Sequence, residues 1–427
     1  MATKIRFFHT ADIHFGVENY GRIDPESGIH TRLLDFERSL ARIIDRAIAE
    51  HIDLFVFAGD AYKTAYPTPT QQKLLLAQFL RLEEAGIPVV IVVGNHDHPL
   101  SFGRAHALDV FGAIRHQGFY VFSKPQAVRI QTRSGPVQVI GVPWPMRHNV
   151  LAHEAHQLKT ATEVTDYLSE RMCLIIAELA RSLDPALPAI LVGHLTVANG
   201  IFSGSERRAV YGTDPLFMPS QLALAPLDYV ALGHLHRHQE LNPGGRCPVV
   251  YAGSPERVDF GERKEPKGYC DVSIACDEGT KQTQYSFVPL PVRPMIQIEV
   301  VLCPDGSATD QVIAAVEQRD ITDAIIKILY EVPAGQRDMV DTVKVHRACS
   351  AAHYVAGIVP VHQLAPRMQR AEVSTLMSGD ELLGRYFESK KYTSAEQERL
   401  LLLAHELCQE QEKEYEQAEG DEAHHDE

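Results

Sequence analysis

Short apolar runs rich in Val, Ile and Phe recur along the N-terminal two thirds of the chain. Lys4–Phe8 is the first predicted strand. The runs Asp53–Ala58 and Ile87–Val93 show none of the polar-apolar alternation of a half-exposed strand. Such runs predict strands buried on both faces, as in a parallel sheet covered by helices. Between them, residues 32–50 and 70–86 place apolar side chains at helical spacing. The resulting order, β-α-β-α-β, predicts a layered α/β domain.

The pattern continues to about residue 260 and then changes. Further strands are predicted at 119–122, 127–131, 137–142, 189–192, 229–232 and 249–252, with a helix at 162–183. Three prolines between Pro289 and Pro294 break both strand and helix, and a small β-α-β-α-β unit follows them. The sequence therefore predicts an α/β domain over 1–288 and a small domain over 295–360.

The last section is predicted to be helical. Segments Asp380–Lys390 and Ser394–Gln417 carry apolar stripes, and each is opened by a capping-box pattern, at Ser378 and at Thr393. Two such helices have little core of their own, so they are expected to dock on another surface, the alternatives being the small domain or a second copy of the chain. We assign 367–420 to this helical region and 421–427 to an acidic, disordered tail.

Composition limits the function. The chain has 427 residues and a formal net charge of −15, which opposes binding of nucleic acid through a broad basic face. Any nucleic-acid role must depend on metal ions, local basic residues or a partner. The seven cysteines are scattered without a C-x-x-C pair, and the N-terminus shows no signal-peptide pattern. A cytoplasmic location with no membrane association is therefore expected.

Polar side chains follow five of the predicted strands, where the carboxyl ends of the strands should meet at one edge. Any one of these residues alone is as well explained as a helix cap or a hydrogen-bonded structural histidine. Five strands ending in this way favour a shared site. Carboxylate, imidazole and amide donors without thiolate suit manganese or iron. The residues are Asp12, His14, Asp60, Asn95, His96, Asp97, His194, His234 and His236.

The motifs D-x-H, G-D, G-N-H-D, G-H and G-H-x-H, in this order, resemble the calcineurin-like metallophosphoesterase superfamily. Asn19–Phe36, Gly59–Thr64, Gly253–Glu262 and Glu265–Gly268 are similar, more narrowly, to the SbcD family. Members of that family are nuclease subunits of a DNA-repair complex that contains a coiled-coil SbcC-type ATPase. The resemblance implies a layered α/β/β/α sandwich, a small α+β capping domain and C-terminal helices that bind the ATPase.

The resemblance also implies two metal sites, most simply filled by Mn²⁺. Asp12, His14, Asp60 and His236 would hold one ion. Asp60, Asn95, His194 and His234 would hold the other, with Asp60 as the bridge. A two-metal site needs no protein nucleophile, which agrees with the lack of an obvious Ser or Cys elbow.

Two further residues are assigned to the reaction. His96 is expected to act as general acid, because imidazole titrates near neutrality. Asp97 is expected to orient its ring, although a loop cap or an ion pair explains Asp97 equally well. Substrate phosphates are expected to contact Lys63, Arg207 and Arg257. Lys63 stands where relatives often have His or Asp, and a solvated lysine is an equal alternative there.

The sequence is thus interpreted as a manganese-dependent DNA exonuclease and endonuclease subunit that processes DNA ends in repair. A homodimer that binds DNA and an SbcC-like ATPase is expected from the resemblance. One alternative is a small-molecule phosphodiesterase or phosphatase, which residues 295–427 disfavour because such an enzyme needs no capping domain. The other is a catalytically silent DNA-end scaffold, which the complete ligand set disfavours.

Overall fold

Two six-stranded sheets dominate the computed structural model, which describes residues 3–99, 105–114, 118–146, 160–204, 214–277, 279–303, 305–333, 336–362, 379–390, 392–405 and 407. The elements up to residue 289 are, in chain order, β1 (Thr3–Thr10), α1 (Thr31–Ala49), β2 (Leu54–Phe57), α2 (Pro69–Glu84), β3 (Val89–Val92), α3 (Asp109–Ala113), β4 (Phe119–Phe122), β5 (Gln126–Thr132), β6 (Gly135–Val142), α4 (Ala161–Arg181), β7 (Ala189–His194), β8 (Thr196–Val197), β9 (Leu216–Phe217), α5 (Pro219–Leu222), β10 (Tyr229–Gly233), β11 (Gln239–Glu240), β12 (Val249–Tyr251), a 3-10 turn (Phe260–Glu262), β13 (Gly268–Asp277) and β14 (Thr280–Pro289).

The first sheet has the strand order β14-β13-β1-β2-β3-β4, and the second has the order β11-β12-β10-β7-β6-β5. Strands β1 to β4 run parallel to one another, as do β6, β7, β10 and β12. The carboxyl ends of β1, β2 and β3 therefore lie at one edge of the first sheet. Those of β7 and β10 lie at one edge of the second.

The sheets pack face to face because alternate side chains of each strand point to opposite faces. In β2, Phe55 and Phe57 join a core with α1 and α2, whereas Leu54 and Val56 join a second core with residues of the other sheet. Helix α4 covers the outer face of that second sheet through residues such as Ile176. The layers are α/β/β/α, and the fold predicted from the sequence is confirmed.

The hairpin of β13 and β14 was not predicted. Its ten-residue strands pair along their whole length, and β13 also pairs antiparallel with β1. Side chains in β14 alternate between exposed and half-buried, so the segment lacks the apolar run that identified the central strands. Short-range hydrophobicity therefore underestimates an edge hairpin of this kind.

Beyond residue 294 the described elements are β15 (Met295–Val301), α6 (Ala308–Glu317), β16 (Ile325–Val332), α7 (Thr342–Ala348), β17 (Tyr354–His362), α8 (Gly379–Ser389) and α9 (394–405). Strands β15, β16 and β17 form a three-stranded sheet, which matches the predicted β-α-β-α-β order. At the start of α9, Thr393 N donates to Glu396 Oε2 over 2.8 Å, as in the predicted capping box.

Compact units divide the chain differently from the predicted domains. One unit comprises the described residues of 1–298, 313–328 and 341–358, and the other those of 299–312, 329–340 and 359–427. The domain limits given above, including 367–420 and 421–427, stay predictions, and Ser378 and residues 408–427 lie outside the described chain. Among the described helices, none is both long and apolar enough to cross a membrane.

A buried ionic cluster holds the start of α1 against the segment that leads into β15. Arg293 donates two bonds of 2.8 Å to the Asp35 carboxylate, and its third nitrogen donates to Asp323 O over 2.9 Å. Arg32, which is fully buried, also donates to Asp35. Burial opposes the charge of Asp35, but Arg293 and Arg32 outweigh it and lower its pKa.

We predict that Arg293→Ala destabilises the protein by about 3 kcal/mol, because it removes a positive charge that compensates the buried Asp35 carboxylate. The Arg293 side chain is 6% exposed and that of Asp35 is 4% exposed. Arg38 also pairs with Asp35, but its side chain is 52% exposed, so Arg38→Ala should cost less than about 1 kcal/mol. Urea denaturation measures both, and equal losses would contradict the distinction.

Candidate metal centre

Backbone hydrogen bonds bring the ends of the first strands together. Asp12 N donates to Gly59 O over 2.9 Å, and His14 N donates to Asp60 O over 3.1 Å. The loop after β1 therefore lies along the loop after β2. From the second sheet, His234 N donates to both Asp12 oxygens, over 3.0 and 3.1 Å. The edges of the two sheets thus meet at one place.

The first predicted ligand set is assembled there. Donor atoms of Asp12, His14 and His236 lie within 4.8 Å of one another, and all three residues are buried. The Nε2 atoms of His14 and His236 are 2.9 Å apart, and Asp60 Oδ2 is 3.7 Å from His14 Nε2. These four side chains thus surround a common space.

The second predicted set lies beside it. His194 Nε2 is 3.3 Å from Asp60 Oδ2 and 2.9 Å from Asn95 Oδ1, and Asn95 Oδ1 is 3.2 Å from His234 Nδ1. His194 Nδ1 is 2.8 Å from Ala58 O, so the main chain orients this ring from behind. Asp60 is the residue common to both sets, in the position of the predicted bridge.

Four of these residues have left-handed backbone conformations. Asp12, His14 and Asp60 have φ values of 57°, 51° and 54°, and His234 has 107°. Non-glycine residues rarely adopt such values, at a cost of about 1–3 kcal/mol each. The strain is concentrated where side chains converge, which is typical of a functional site.

Two glycines permit this convergence. A Cβ atom at position 94 would lie 2.1 Å from Asp60 Oδ1, and one at position 59 would lie 2.4 Å from His194 Nδ1. Gly59 also has a φ of 98°. Both contacts are far closer than real Cβ atoms make, so these positions require glycine.

Burial and neighbouring charges shift the pKa values of the clustered side chains in different directions. Burial opposes the charge of Asp60, but His194 and other histidines outweigh it and hold its pKa well below its usual range. Burial likewise disfavours charged His194, yet Asp60 and Asp12 raise its pKa to about 9. Burial lowers the pKa of His234 to about 3 and raises that of Asp12 to about 7. Of these two carboxyl groups, Asp60 is the one whose ionised form its surroundings favour.

The donor set fits divalent ions. His234 Nε2 is buried and has no hydrogen-bond partner among the residues that the structure describes, although burying a polar atom unpaired is costly. The facing Nε2 atoms of His14 and His236 each offer a lone pair in the neutral tautomer that carries its hydrogen on Nδ1. Nitrogen and oxygen donors without thiolate suit manganese, iron or zinc better than a soft ion.

His96 lies at the exposed rim of the cluster. Its ring centroid is 5.0 Å from that of His14, and its Nδ1 is 2.8 Å from Lys63 O. Its main-chain N donates to Asp60 Oδ1 over 2.9 Å. The ring is thus reachable from solvent while it is anchored beside the candidate ligands.

The contact predicted between Asp97 and the His96 ring needs correction. Asp97 is fully buried, and its carboxylate accepts main-chain N–H bonds from Gly94, Ala61 and Tyr62 over 3.0–3.3 Å. The described partner of His96 Nδ1 is a main-chain carbonyl instead. Burial, with the charge of Asp60, raises the pKa of Asp97 to about 6. Asp97 therefore fixes the two loops that carry Asp60 and His96.

The predicted phosphate-binding residues differ in their positions. Lys63 is exposed, and its carbonyl holds His96, so its side chain lies close to the rim. Arg257 is partly buried, and its guanidinium donates to Arg293 O over 3.0 Å, a contact within the protein. Arg207 lies outside the described residues.

Three residues near the cluster were given no role at the metal ligands from the sequence. Glu262 Oε1 is 2.8 Å from His236 Nδ1, and Glu262 Oε2 is 2.7 Å from Lys267 Nζ. Burial opposes the charge of Glu262, but Lys267 and His236 lower its pKa to about 2. Trp144, the only tryptophan of the chain, lies with its ring centroid 4.8 Å from that of His234. Glu262 and Lys267 lie in two of the stretches that are similar to SbcD, and this similarity could have pointed to them.

We predict that Gly94→Ala weakens Mn²⁺ binding by about 10-fold or more, because the new methyl group displaces the Asp60 carboxylate. Metal analysis after equilibrium dialysis measures the change. Gly112→Ala is the matched control, since a Cβ there meets no atom within 4 Å. Equal metal content in the two variants would show that Asp60 needs no glycine beside it.

Known proteins similar to this chain include a nuclease subunit. The chain is 28% identical over 299 residues to the SbcD subunit of the nuclease SbcCD from Staphylococcus epidermidis (strain ATCC 12228 / FDA PCI 1200), an alignment that covers 70% of this chain and 72% of the relative. This similarity confirms the resemblance to SbcD found in the sequence.

Two solved structures have lower similarity. A dimetal phosphatase from Danio rerio is 10% identical, with a TM-score of 0.39 over 65% of this chain and 98% of its own. A protein from Thermus thermophilus is 16% identical, with a TM-score of 0.36 over 66% of this chain and 99% of its own. The family assignment rests instead on sequence, since the calcineurin-like phosphoesterase family matches residues 5–238. This match includes every candidate metal ligand, and the chain belongs to the calcineurin-like phosphoesterase family.

Proposed function

We propose that this protein is a manganese-dependent DNA exonuclease and endonuclease subunit that processes DNA ends in repair and recombination. The observation that carries the proposal is the similarity to an SbcD nuclease over 299 residues, a length greater than the family match to residues 5–238. The cluster of buried carboxylates and imidazoles supplies the chemistry that such an activity requires.

Seven residues would hold two divalent ions, with Asp60 shared between them. Such ions activate water and stabilise negative charge on a phosphodiester as the bond breaks. The chain is strongly acidic, so positive charge at the site would also be needed to attract DNA. The ligands are Asp12, His14, Asp60, Asn95, His194, His234 and His236.

His96 would donate a proton to the leaving oxygen. Its Nδ1 faces the Lys63 carbonyl, an acceptor only, so Nδ1 carries a hydrogen. The proton given to the leaving oxygen would be the second one of the imidazolium form, on Nε2, which leaves the ring neutral. The exposed ring lies beside His14, where a bound phosphodiester would reach it. Asp97 would position His96 through the loop rather than through the ring.

Purified protein with Mn²⁺ and end-labelled duplex DNA tests the proposal, in parallel with a cyclic dinucleotide and a phosphomonoester. Cleavage of the DNA supports a nuclease. Cleavage of only the small substrates would establish a small-molecule phosphodiesterase or phosphatase. Metal binding with no cleavage of any substrate would favour a DNA-end scaffold.

We predict that His96→Ala retains bound metal but lowers DNA cleavage by about 10²–10⁴-fold, the usual contribution of a general acid. Asp60→Asn should instead lose metal, because it removes the charge shared by both sets. Metal analysis and single-turnover cleavage separate the two effects. Loss of both ions in His96→Ala would assign His96 to metal binding.

The proposed partners are an SbcC-like coiled-coil ATPase and a second copy of the chain, in the cytoplasm. Exposed apolar side chains on the described C-terminal helices support docking. Tyr386 on α8 is 54% exposed, and Leu402 and Leu403 on α9 are 66% and 54% exposed. Such a face fits helix-in-groove binding to a coiled coil.

We predict that truncation after Pro366 abolishes co-purification with the ATPase and leaves cleavage of short DNA unchanged. The reason is that the candidate metal ligands all precede residue 240, whereas the exposed apolar stripe follows residue 380. A pull-down with the ATPase and a cleavage assay measure both properties. Full ATPase binding by the truncated chain would place the interface elsewhere.

A further inference from the structure

His236 is held from behind by a buried carboxylate. Its Nε2 faces His14 in the metal cluster, and its Nδ1 lies 2.8 Å from Glu262 Oε1. The rings of His194 and His96 have main-chain carbonyls in the corresponding position, Ala58 O and Lys63 O. His236 therefore has a charged partner where these two histidines have a neutral one.

Glu262 is itself fixed on its other side. Its Oε2 is 2.7 Å from Lys267 Nζ and accepts the main-chain N–H of Val258 over 2.8 Å. Lys267 Nζ also donates to His236 O over 3.0 Å and to Ser254 Oγ over 2.9 Å. The side chains of Glu262 and Lys267 are both 0% exposed. The two residues thus hold both the ring and the main chain of His236.

Stability alone is a weak explanation for this arrangement. A buried ion pair loses the hydration of both charges, and well-packed apolar residues are often as stabilising. A carboxylate that accepts the Nδ1 hydrogen of a histidine does have a specific effect. It fixes the tautomer in which Nε2 carries the lone pair, and it sets the plane of the ring.

We propose that Glu262 and Lys267 are positioning residues for His236 as a metal ligand. Glu262 orients the ring and selects the tautomer, and Lys267 holds Glu262 in place through their 2.7 Å ion pair. The inference rests on the metal site of the proposed function, but not on which phosphodiester is cleaved. Loss of such a partner typically weakens metal binding by about 10–100-fold.

Trp144 provides a direct readout. As the only tryptophan, and with its ring centroid 4.8 Å from that of His234, it should report Mn²⁺ loading by quenching of its fluorescence. Metal analysis after equilibrium dialysis gives the number of ions retained. Neither measurement depends on nuclease activity.

The test compares Glu262→Gln with a matched control. Glu262→Gln keeps the size of the side chain and removes its charge, so Mn²⁺ affinity should fall by about 10–100-fold. The control is Asp228→Asn, because Asp228 Oδ2 is 2.8 Å from Lys281 Nζ in another largely buried pair. Asp228 lies just before β10, whereas the candidate ligands His234 and His236 follow that strand. The control should retain wild-type Mn²⁺ affinity even if its melting temperature falls.

A second variant covers the case in which Glu262→Gln does not fold. Glu262→Asp keeps a negative charge near Lys267 but withdraws the carboxylate from His236, so it should fold and still bind Mn²⁺ more weakly than wild type. Wild-type affinity in either folded variant, or an equal loss in Asp228→Asn, would overturn the proposal. If wild-type protein binds no Mn²⁺, the proposal also fails. If the Glu262 variants lose Mn²⁺ but wild-type protein cleaves no DNA, the inference stands and the proposed function fails.

Discussion

The buried Asp60 carboxylate is the constraint on which the candidate metal centre depends. Its Oδ2 is 3.7 Å from His14 Nε2 and 3.3 Å from His194 Nε2, so it faces side chains from both sheets. Its Oδ1 accepts the main-chain N–H of His96. Because an anion buried at this depth is unstable without compensation, the surrounding groups must be cationic or must hold cations. The left-handed backbone and the glycine at position 94 are the local consequences of placing it there.

The fold was predictable to the extent that burial leaves a pattern in the sequence. Strands β2 and β3 are buried on both faces, and their unbroken apolar runs identified them. The polar residues that follow these strands were predicted to converge because parallel strands end at one edge. The β13–β14 hairpin leaves no such pattern, since its outer strand is half exposed and pairs on one side. Local hydrophobicity missed this half-exposed hairpin, although it predicted the edge strands β4 and β5.

The sequence predicted which residues come together at the candidate site, but it did not predict the hydrogen bonds of their side chains. The types and order of the ligand residues sufficed to group them. The partner of a side chain, however, depends on distances of a few tenths of an ångström between segments far apart in sequence. Asp97 follows His96 directly, yet its carboxylate binds amides of two loops, and the ring of His96 turns to Lys63 O. Adjacency in sequence therefore did not predict the contact.

The segment from Ser254 to Lys267 contacts residues that are far from it in the sequence. Within one turn, Glu262 contacts the ring of His236, and Phe260 packs with Met295 and Ile325. Phe260 also meets the ring of Tyr20 edge to face, with centroids 5.2 Å apart. Phe260 and Glu262 thus belong to the same 3-10 turn. A single three-residue turn therefore serves two contacts, because its first residue packs in a small apolar cluster and its last residue holds the ring of a candidate metal ligand.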